Sequence, residues 1–237
     1  MYVKRSTYLK YESIIELHLN PCFSTYMMND INEQAICRFF TDEISVKNLS
    51  KSTLCTVRFV FKSICHYAEE KYHASHIHFE MIKMPIHNEK CSYLSNQEKQ
   101  YLETYCLQNY NSLSIAIGLG LYAGLRIGEI CSLQWQDIDL QKGIITISKT
   151  VQRLKNTEDS QTKTILQISS PKTLTSHRKV PIPHFFIQHL QQYATYPSIQ
   201  SNDYVLSQNS KIMDPRTIQY QLKKYVFIII LILIFMH

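Results

Sequence analysis

The stretch LYAGLRIGEI, residues 121–130, decides how the second half of this chain folds. An apolar run leads into it, and Gly124 offers a turn before a second short helix. Arg126 is the only charged residue between Glu103 and Glu129. A guanidinium in so apolar a setting needs an anionic partner, because burying it unpaired is costly. Two partners fit equally well. One is the Glu129 carboxylate on the same helical face, and the other is a pair of phosphate oxygens, which suit the planar fork of arginine.

The distribution of charge along the 237 residues is more informative than the net charge of +6. Residues 1–85 carry ten Lys and Arg against nine Asp and Glu, so they are nearly neutral. Residues 142–179 carry eight Lys and Arg against only Glu158 and Asp159. This basic stretch holds an excess equal to the net charge of the chain, which mildly favours a polyanionic partner.

The seven cysteines are widely spaced and form no CxxC pair. This pattern is typical of reduced thiols in a cytoplasmic protein and argues against a disulfide framework or a zinc site. Three histidines cluster at His73, His76 and His78, but no cysteine or carboxylate stands at ligand spacing. We interpret them as solvated residues at a helix end and predict no metal. The first residues lack the apolar core of a signal peptide.

Residues 6–85 have the pattern of a helical module. A first helix begins at Ser6 or Thr7 and is expected to end at Asn20-Pro21, because proline breaks helices. A short helix is predicted over residues 32–42, and Ser50 is placed to cap a longer helix that reaches about Tyr72. Apolar residues on that helix recur at the spacing of one buried face: Leu54, Val57, Phe61, Ile64 and Ala68.

A second stripe on the same helix is basic and contains Lys51, Arg58 and Lys62. It is displaced from the apolar stripe by about 110° at 3.6 residues per turn. A solvated face is the common explanation for such a stripe. The alternative is a helix that faces a phosphate backbone, where each cation adds salt-dependent affinity.

The second half begins after a polar linker at residues 88–94 and mixes helices with short strands. A capping box at residues 95–98 opens a helix to about Asn109, and a second helix runs to Gly124. We predict strands at 143–147, 163–168 and 178–182, with 169–176 as the hairpin tip between the last two. Further elements are a helix from Pro183 to about Tyr196, a strand at 203–206, and a helix from Asp214-Pro215 to about Lys224.

The tail, residues 225–237, is apolar almost throughout. As a helix, its eleven apolar residues would span about 17 Å, which is too short for a hydrocarbon core of about 30 Å, so no membrane span is expected. We interpret the tail as out-of-frame translation that follows a shift near codon 224. A buried C-terminal strand is the alternative.

Three segments together carry a resemblance: residues 123–130, 135–139 and 170–182. They resemble the phage integrase family, the tyrosine recombinases of bacteriophages and integrative elements. Residues 1–87 are similar to the helical, SAM-like core-binding domain of that family, and residues 95–224 to the first part of its catalytic domain. The fold that this implies is mainly α with a small antiparallel β-sheet.

The resemblance implies a DNA strand breakage and rejoining reaction at one backbone phosphate. Arg126 matches the arginine that clamps non-bridging oxygens of the scissile phosphate, and Glu129 matches its supporting acidic residue. Lys172 matches the lysine that donates a proton to the departing 5′-hydroxyl. Fixed cations stabilise the added negative charge of the transition state, and an alkoxide leaving group needs a general acid.

The implied partners are double-stranded DNA and further recombinase protomers. The two domains of the family close around the duplex, so Lys51, Arg58, Lys62 and Arg178 are predicted to bind DNA. No metal or other cofactor is implied, since the energy is kept in a protein–DNA bond.

The sequence also departs from the family pattern. The family needs a later His-x-x-Arg box, a further histidine or tryptophan, and a nucleophilic tyrosine, and none of these follows Lys224. Tyr204, Tyr220 and Tyr225 do not lie in a matching motif. We therefore predict a DNA-binding recombinase without a nucleophile, unable to cleave. The alternatives are a module that occupies attachment sites and antagonises an intact recombinase, or a non-functional remnant.

Overall fold

The computed structural model describes residues 3–43, 49–82, 94–157, 162–170, 177–194 and 199–235. The chain divides into two compact units, Met1–Ser92 and Tyr93–His237. The division lies four residues beyond the boundary expected near residue 88. Residues 88–93 of the expected linker are outside the described ranges.

Unit 1 is helical. Its elements are α1 (Arg5–Ile14), a π-helical turn (Ile15–Leu19), α2 (Asn20–Phe23), a 3₁₀ turn (Met28–Asp30), α3 (Glu33–Arg38), a second π turn (Phe39–Glu43), α4 (Lys51–Tyr72) and a 3₁₀ turn (Phe79–Met81). The side chains of Asn32 and Ser50 cap α3 and α4 by accepting from the backbone N–H groups of Ala35 and Thr53. The predicted starts of both helices are therefore confirmed.

The predicted end of the first helix at Pro21 is wrong. Helical backbone continues through the π turn Ile15–Leu19 into α2, and Pro21 lies in the first turn of α2. A proline ring normally collides with the carbonyl four residues earlier. We attribute its accommodation to the preceding π turn, because the wider helix shifts the hydrogen-bond register by one residue. The predicted cap is also wrong, since the helix begins after Lys4.

The core of unit 1 is aromatic. Phe61 on α4 contacts Phe23 at a centroid separation of 4.8 Å, Phe39 at 5.9 Å and Phe79 at 6.1 Å. Four residues of the predicted apolar stripe of α4 are buried, and Ile64 is partly buried: the buried four are Leu54, Val57, Phe61 and Ala68. The predicted buried face is thus confirmed.

Unit 2 combines helices with two small antiparallel sheets. Its elements are α5 (Asn96–Gln108), α6 (Ser112–Ala123), α7 (Ile127–Ser132), a 3₁₀ turn (Trp135–Asp137), β1 (Ile138–Asp139), β2 (Ile144–Ile147), β3 (Thr150–Lys155), β4 (Thr164–Ser169), β5 (Arg178–Pro181), α8 (His184–Tyr193) and α9 (Pro215–Phe235). The predicted capping box is present, because Ser95 and Glu98 each accept from the backbone N–H of the other.

Helix α6 is the centre of unit 2. Asn111 caps it, and every residue from Leu113 to Leu119 is buried. Gly118 lies so close to Phe186 of α8 that a Cβ there would approach the ring to 2.2 Å. A helix with no polar stripe over two turns must be covered on all sides. Its C-terminal end is therefore a rigid base for the turn that follows.

The predicted hairpin between the second and third strands is wrong. Strand β4 pairs with β3, in a register that joins Thr150 to Ser169, while β5 pairs with β2 and joins Ile147 to Arg178. The sequence pattern did not indicate β3, which a short loop joins to β4, so the pairing of these two strands is local. The chain between β4 and β5 therefore connects two sheets.

Two predictions for the last third are also wrong. The strand expected at residues 203–206 is a turn, in which Tyr204 makes single bridges to Gln134 and Asn209. Helix α9 begins at Pro215, as predicted, but continues past Lys224 to Phe235, so the alternative of a C-terminal strand does not hold. Among the described residues, no helix has the length and apolar character to cross a membrane.

Candidate functional site

The turn between α6 and α7 is built by a left-handed glycine. Gly124 ends α6 with φ of 61°, and the N–H of Leu125 returns to the carbonyl of Leu119 at 3.3 Å. Glycine adopts this conformation readily because it has no Cβ. The chain then places Arg126 at the N-cap of α7, the second short helix that was predicted after the turn.

Glu129 is the centre of the site and accepts four hydrogen bonds. Arg126 donates its backbone N–H to Oε2 at 2.9 Å and its Nη1 to Oε1 at 3.1 Å. Arg178 of β5 donates Nη1 to Oε1 and Nη2 to Oε2, both at 2.9 Å. A carboxylate has about four lone-pair positions, so these donors satisfy it fully and fix its orientation. We call Arg126, Glu129 and Arg178 the arginine cluster.

Exposure differs sharply within the arginine cluster. The side chain of Glu129 is 5% exposed and that of Arg178 28%, whereas that of Arg126 is 74% exposed. Burial would raise the pKa of Glu129, but the hydrogen bonds from Arg178 and the Arg126 backbone, with the charge of Arg178, lower it to about 2. The cluster therefore carries a net single positive charge, and its outer face is the Arg126 guanidinium.

Of the two partners considered for Arg126 from the sequence, the structure shows one, the Glu129 carboxylate. Of the guanidinium nitrogens of Arg126, Nη1 donates to Glu129 at 3.1 Å. The side chain of Arg126 is otherwise largely exposed, and a planar guanidinium is suited to oxyanions. Lys172 lies outside the described residues, six positions before Arg178. Arg178, which was predicted to bind DNA, donates both terminal guanidinium nitrogens to Glu129.

Other cations of the basic stretch are also paired with carboxylates outside it. Lys142 meets Asp139 at 3.3 Å, and Lys149 meets Asp137 at 3.5 Å. Arg153 forms an ion pair with Asp214, which it reaches from β3. Carboxylates outside residues 142–179 therefore neutralise part of the positive charge counted within that stretch. Lys163 and Lys179 are exposed.

The basic stripe of α4 is used unevenly within unit 1. Arg58 donates Nη2 to the carbonyl oxygen of Phe79 at 2.5 Å, so it holds the Phe79–Met81 turn. Lys62 pairs with Glu80 at 2.7 Å, with both side chains more than half exposed. Such surface pairs contribute little and exchange readily. Lys51 is exposed in the first turn of α4.

Sequence reasoning missed the contact from Arg178 to Glu129. The two residues lie 49 positions apart, and no local spacing joins them. The same holds for Arg153 and Asp214, which are 61 positions apart. By contrast, Lys142 and Asp139 are three residues apart, and their pairing could have been predicted from spacing.

Comparison with known families agrees with this arrangement. A model described as "Phage integrase family" matches residues 92–227, and one described as "Phage integrase, N-terminal SAM-like domain" matches residues 1–45. The first match alone spans more than half of the chain. The chain therefore belongs to the phage integrase family of tyrosine recombinases.

A curated relative is "Tyrosine recombinase XerC-like" from Caldanaerobacter subterraneus subsp. tengcongensis. It is 36% identical over 78 residues, which cover 32% of this chain and 19% of that protein. The shared part is thus well under two thirds of the relative.

Two similar solved structures agree in fold. One is the integrase of transposon Tn1549 bound to transposon right-end DNA, with a TM-score of 0.65 and 20% identity, covering 80% of this chain and 59% of that chain. The other is a lambda integrase tetramer bound to a Holliday junction, with a TM-score of 0.63 and 14% identity, covering 95% and 58%. The predicted class, mainly helical with small antiparallel sheets, is confirmed.

Proposed function

We propose that this chain binds duplex DNA, with the Arg126 guanidinium on a backbone phosphate, and that these 237 residues alone do not cleave it. The observation that carries the proposal is the arginine cluster. Its buried carboxylate is neutralised by Arg178, while the side chain of Arg126 remains 74% exposed. A planar, open guanidinium is suited to two phosphate oxygens. The relatives solved with DNA support the choice of ligand.

In this proposal the two units share the duplex. In unit 1, Lys51 and Lys62 would contact phosphates from the exposed side of α4, and Lys62 would exchange Glu80 for the DNA backbone. In unit 2, Arg126 would contact the phosphate that an intact recombinase attacks. By its place in the family motif, Lys172 corresponds to the residue that protonates the departing hydroxyl in a cleaving recombinase, a step that does not occur in this proposal. Further protomers would bind neighbouring sites.

The non-cleaving part rests on three tyrosines of the last third. Tyr225 packs against Tyr105 with 4.0 Å between ring centroids, and burial raises the pKa of its hydroxyl. Tyr204 lies in the turn beside Gln134. Tyr220 is 72% exposed on α9. A tyrosine nucleophile must be held in line with the phosphate and activated. A tyrosine packed against another ring, one in a turn and one exposed on a helix do not match that description, and this favours binding without cleavage.

The test uses the full chain and a fluorescein-labelled duplex of random sequence. We expect the affinity measured by fluorescence anisotropy to fall steeply between about 50 and 200 mM salt, because each phosphate contact releases counterions. Affinity that is independent of salt would contradict phosphate engagement. With a nicked suicide duplex, which traps covalent intermediates, we expect no protein band that survives denaturation, and such a band would contradict the non-cleaving part.

A further inference from the structure

The contact between Arg178 and Glu129 has a role that the family match does not assign. We propose that Arg178 is a positioning residue that neutralises Glu129, so that the charge of Arg126 stays available to a DNA phosphate. This inference rests on the proposed function of Arg126. It replaces the earlier prediction that Arg178 contacts DNA itself.

The geometry of the Arg178 guanidinium on Glu129 supports this role. Both terminal nitrogens of Arg178 donate to Glu129 at 2.9 Å, one to each carboxylate oxygen. Its side chain is 28% exposed, against 74% for Arg126. A bidentate pair of this kind is directional, and giving it up to reach a phosphate would leave a buried carboxylate short of two donors. Arg178 is therefore committed to Glu129.

The balance of charge within the arginine cluster also supports this role. Arg126 and Glu129 alone sum to zero, and their closest approach is 3.1 Å. At that distance an unneutralised carboxylate would attract the Arg126 guanidinium and cancel much of its field at a phosphate. Arg178 adds one positive charge at Glu129, so the cluster as a whole remains cationic.

The elements that hold Arg178 and Glu129 are themselves fixed by packing and pairing. Arg178 begins β5 and pairs with Ile147 of β2, which is 1% exposed. Glu129 lies on α7, so the fork joins that helix to the three-stranded sheet of β1, β2 and β5. Glu129 also accepts the backbone N–H of Arg126, which fixes the main chain below the guanidinium. The contact of Arg178 with Glu129 therefore keeps the arginine cluster cationic and holds Arg126 in position.

The test compares four variants of the full chain on the random-sequence duplex. These are Arg178→Met, the double variant Arg178→Met with Glu129→Gln, Arg126→Ala, and Lys99→Met as a matched control. Lys99 is an exposed lysine of α5 paired with Glu103 at 3.6 Å, and its loss changes net charge by the same unit as Arg178→Met. The double variant has the same net charge as the unmodified chain. The readout is the slope of log affinity against log salt.

We expect Arg178→Met to lower the affinity and to make the slope shallower by up to about one, the value of one phosphate contact. The double variant should recover the slope of the unmodified chain, because removing the Glu129 charge removes the need for Arg178. Lys99→Met should match the unmodified chain. Recovery in the double variant is the result that supports the proposal.

Two results would overturn it. If the double variant is as shallow as Arg178→Met, Arg178 contacts DNA directly. If Arg178→Met folds and keeps the original slope, Arg178 serves only stability. If Arg178→Met does not fold, the double variant decides alone, by a slope equal to or shallower than the original. Failure of the proposed function is recognised separately, because Arg126→Ala would then bind with the original slope.

Discussion

Glu129→Ala is expected to lower the free energy of unfolding of unit 2 by about 3 kcal/mol, because it removes the acceptor of a largely buried ion pair. The variant leaves the fork of Arg178 and the backbone N–H of Arg126 without their partner. The measurement is urea unfolding followed by the fluorescence of Trp135. Trp135 is the only tryptophan and is 9% exposed in unit 2, so it reports on this unit.

The control for this variant is Glu103→Ala. Glu103 pairs with Lys99 on the surface of α5 at 3.6 Å, and such pairs contribute about 0.5 kcal/mol. Acid gives a second check. Because the folded pKa of Glu129 is lowered from 4.5 to about 2, its stabilisation is complete above pH 4.5 and is lost as the pH falls towards 2. The difference in the free energy of unfolding between the unmodified chain and Glu129→Ala should therefore narrow in acid. A Glu129→Ala midpoint equal to that of Glu103→Ala would contradict the role of the cluster.

Gly128→Ala is expected to destabilise unit 2 by about 2 kcal/mol through overpacking. Gly128 lies in α7 where the helix meets β3, and a Cβ would approach Thr150 Oγ1 to 2.5 Å and the backbone oxygen of Val151 to 2.6 Å. The hydroxyl can rotate, but the strand carbonyl cannot yield without moving β3. The same Trp135 unfolding assay measures the effect.

Gly120→Ala is the matched control. Gly120 is an exposed glycine within α6, and a Cβ there meets no atom within 4 Å. Alanine in a helix interior is favoured over glycine by about 0.5 to 1 kcal/mol, so this variant should be slightly more stable than the unmodified chain. Equal effects of the two substitutions would show that α7 and β3 are not in close contact.

The stability predictions and the DNA-binding proposal share one structural basis. The left-handed turn at Gly124 brings Arg126 to the start of α7, the absence of a side chain at Gly128 lets α7 approach β3, and β5 supplies Arg178. Each of these contacts comes from a different element of unit 2. The exposed guanidinium is thus held by the packing of the unit rather than by its own segment.

The helix boundaries that depend on a side-chain cap or a glycine were the most predictable features, because their determinants are local. Ser50, Ser95 and Asn111 each cap a helix through a neighbour three residues away, and Gly124 ends one by its own backbone conformation. The same locality misled at Pro21, where the deciding feature was a π turn that no residue preference indicates.

Strand pairing and charge pairing were less predictable because both depend on distant residues. The 163–168 and 178–182 strands were expected to pair with each other, yet the missed strand β3 takes β4 as its partner. Arg178 lies in a basic stretch, and no local spacing joins it to its partner Glu129, which lies on another element. The number of charged residues in a segment can be read from the sequence, but the carboxylates that pair with them cannot.

The most direct measurement of the central claim is the salt dependence of duplex binding for Arg126→Ala beside the unmodified chain and Lys99→Met. If the exposed guanidinium of Arg126 rests on a phosphate, the Arg126→Ala line should be lower and shallower by about one, while Lys99→Met follows the unmodified chain. Parallel, superimposed lines for all three proteins would contradict the claim and remove Arg126 from the DNA surface.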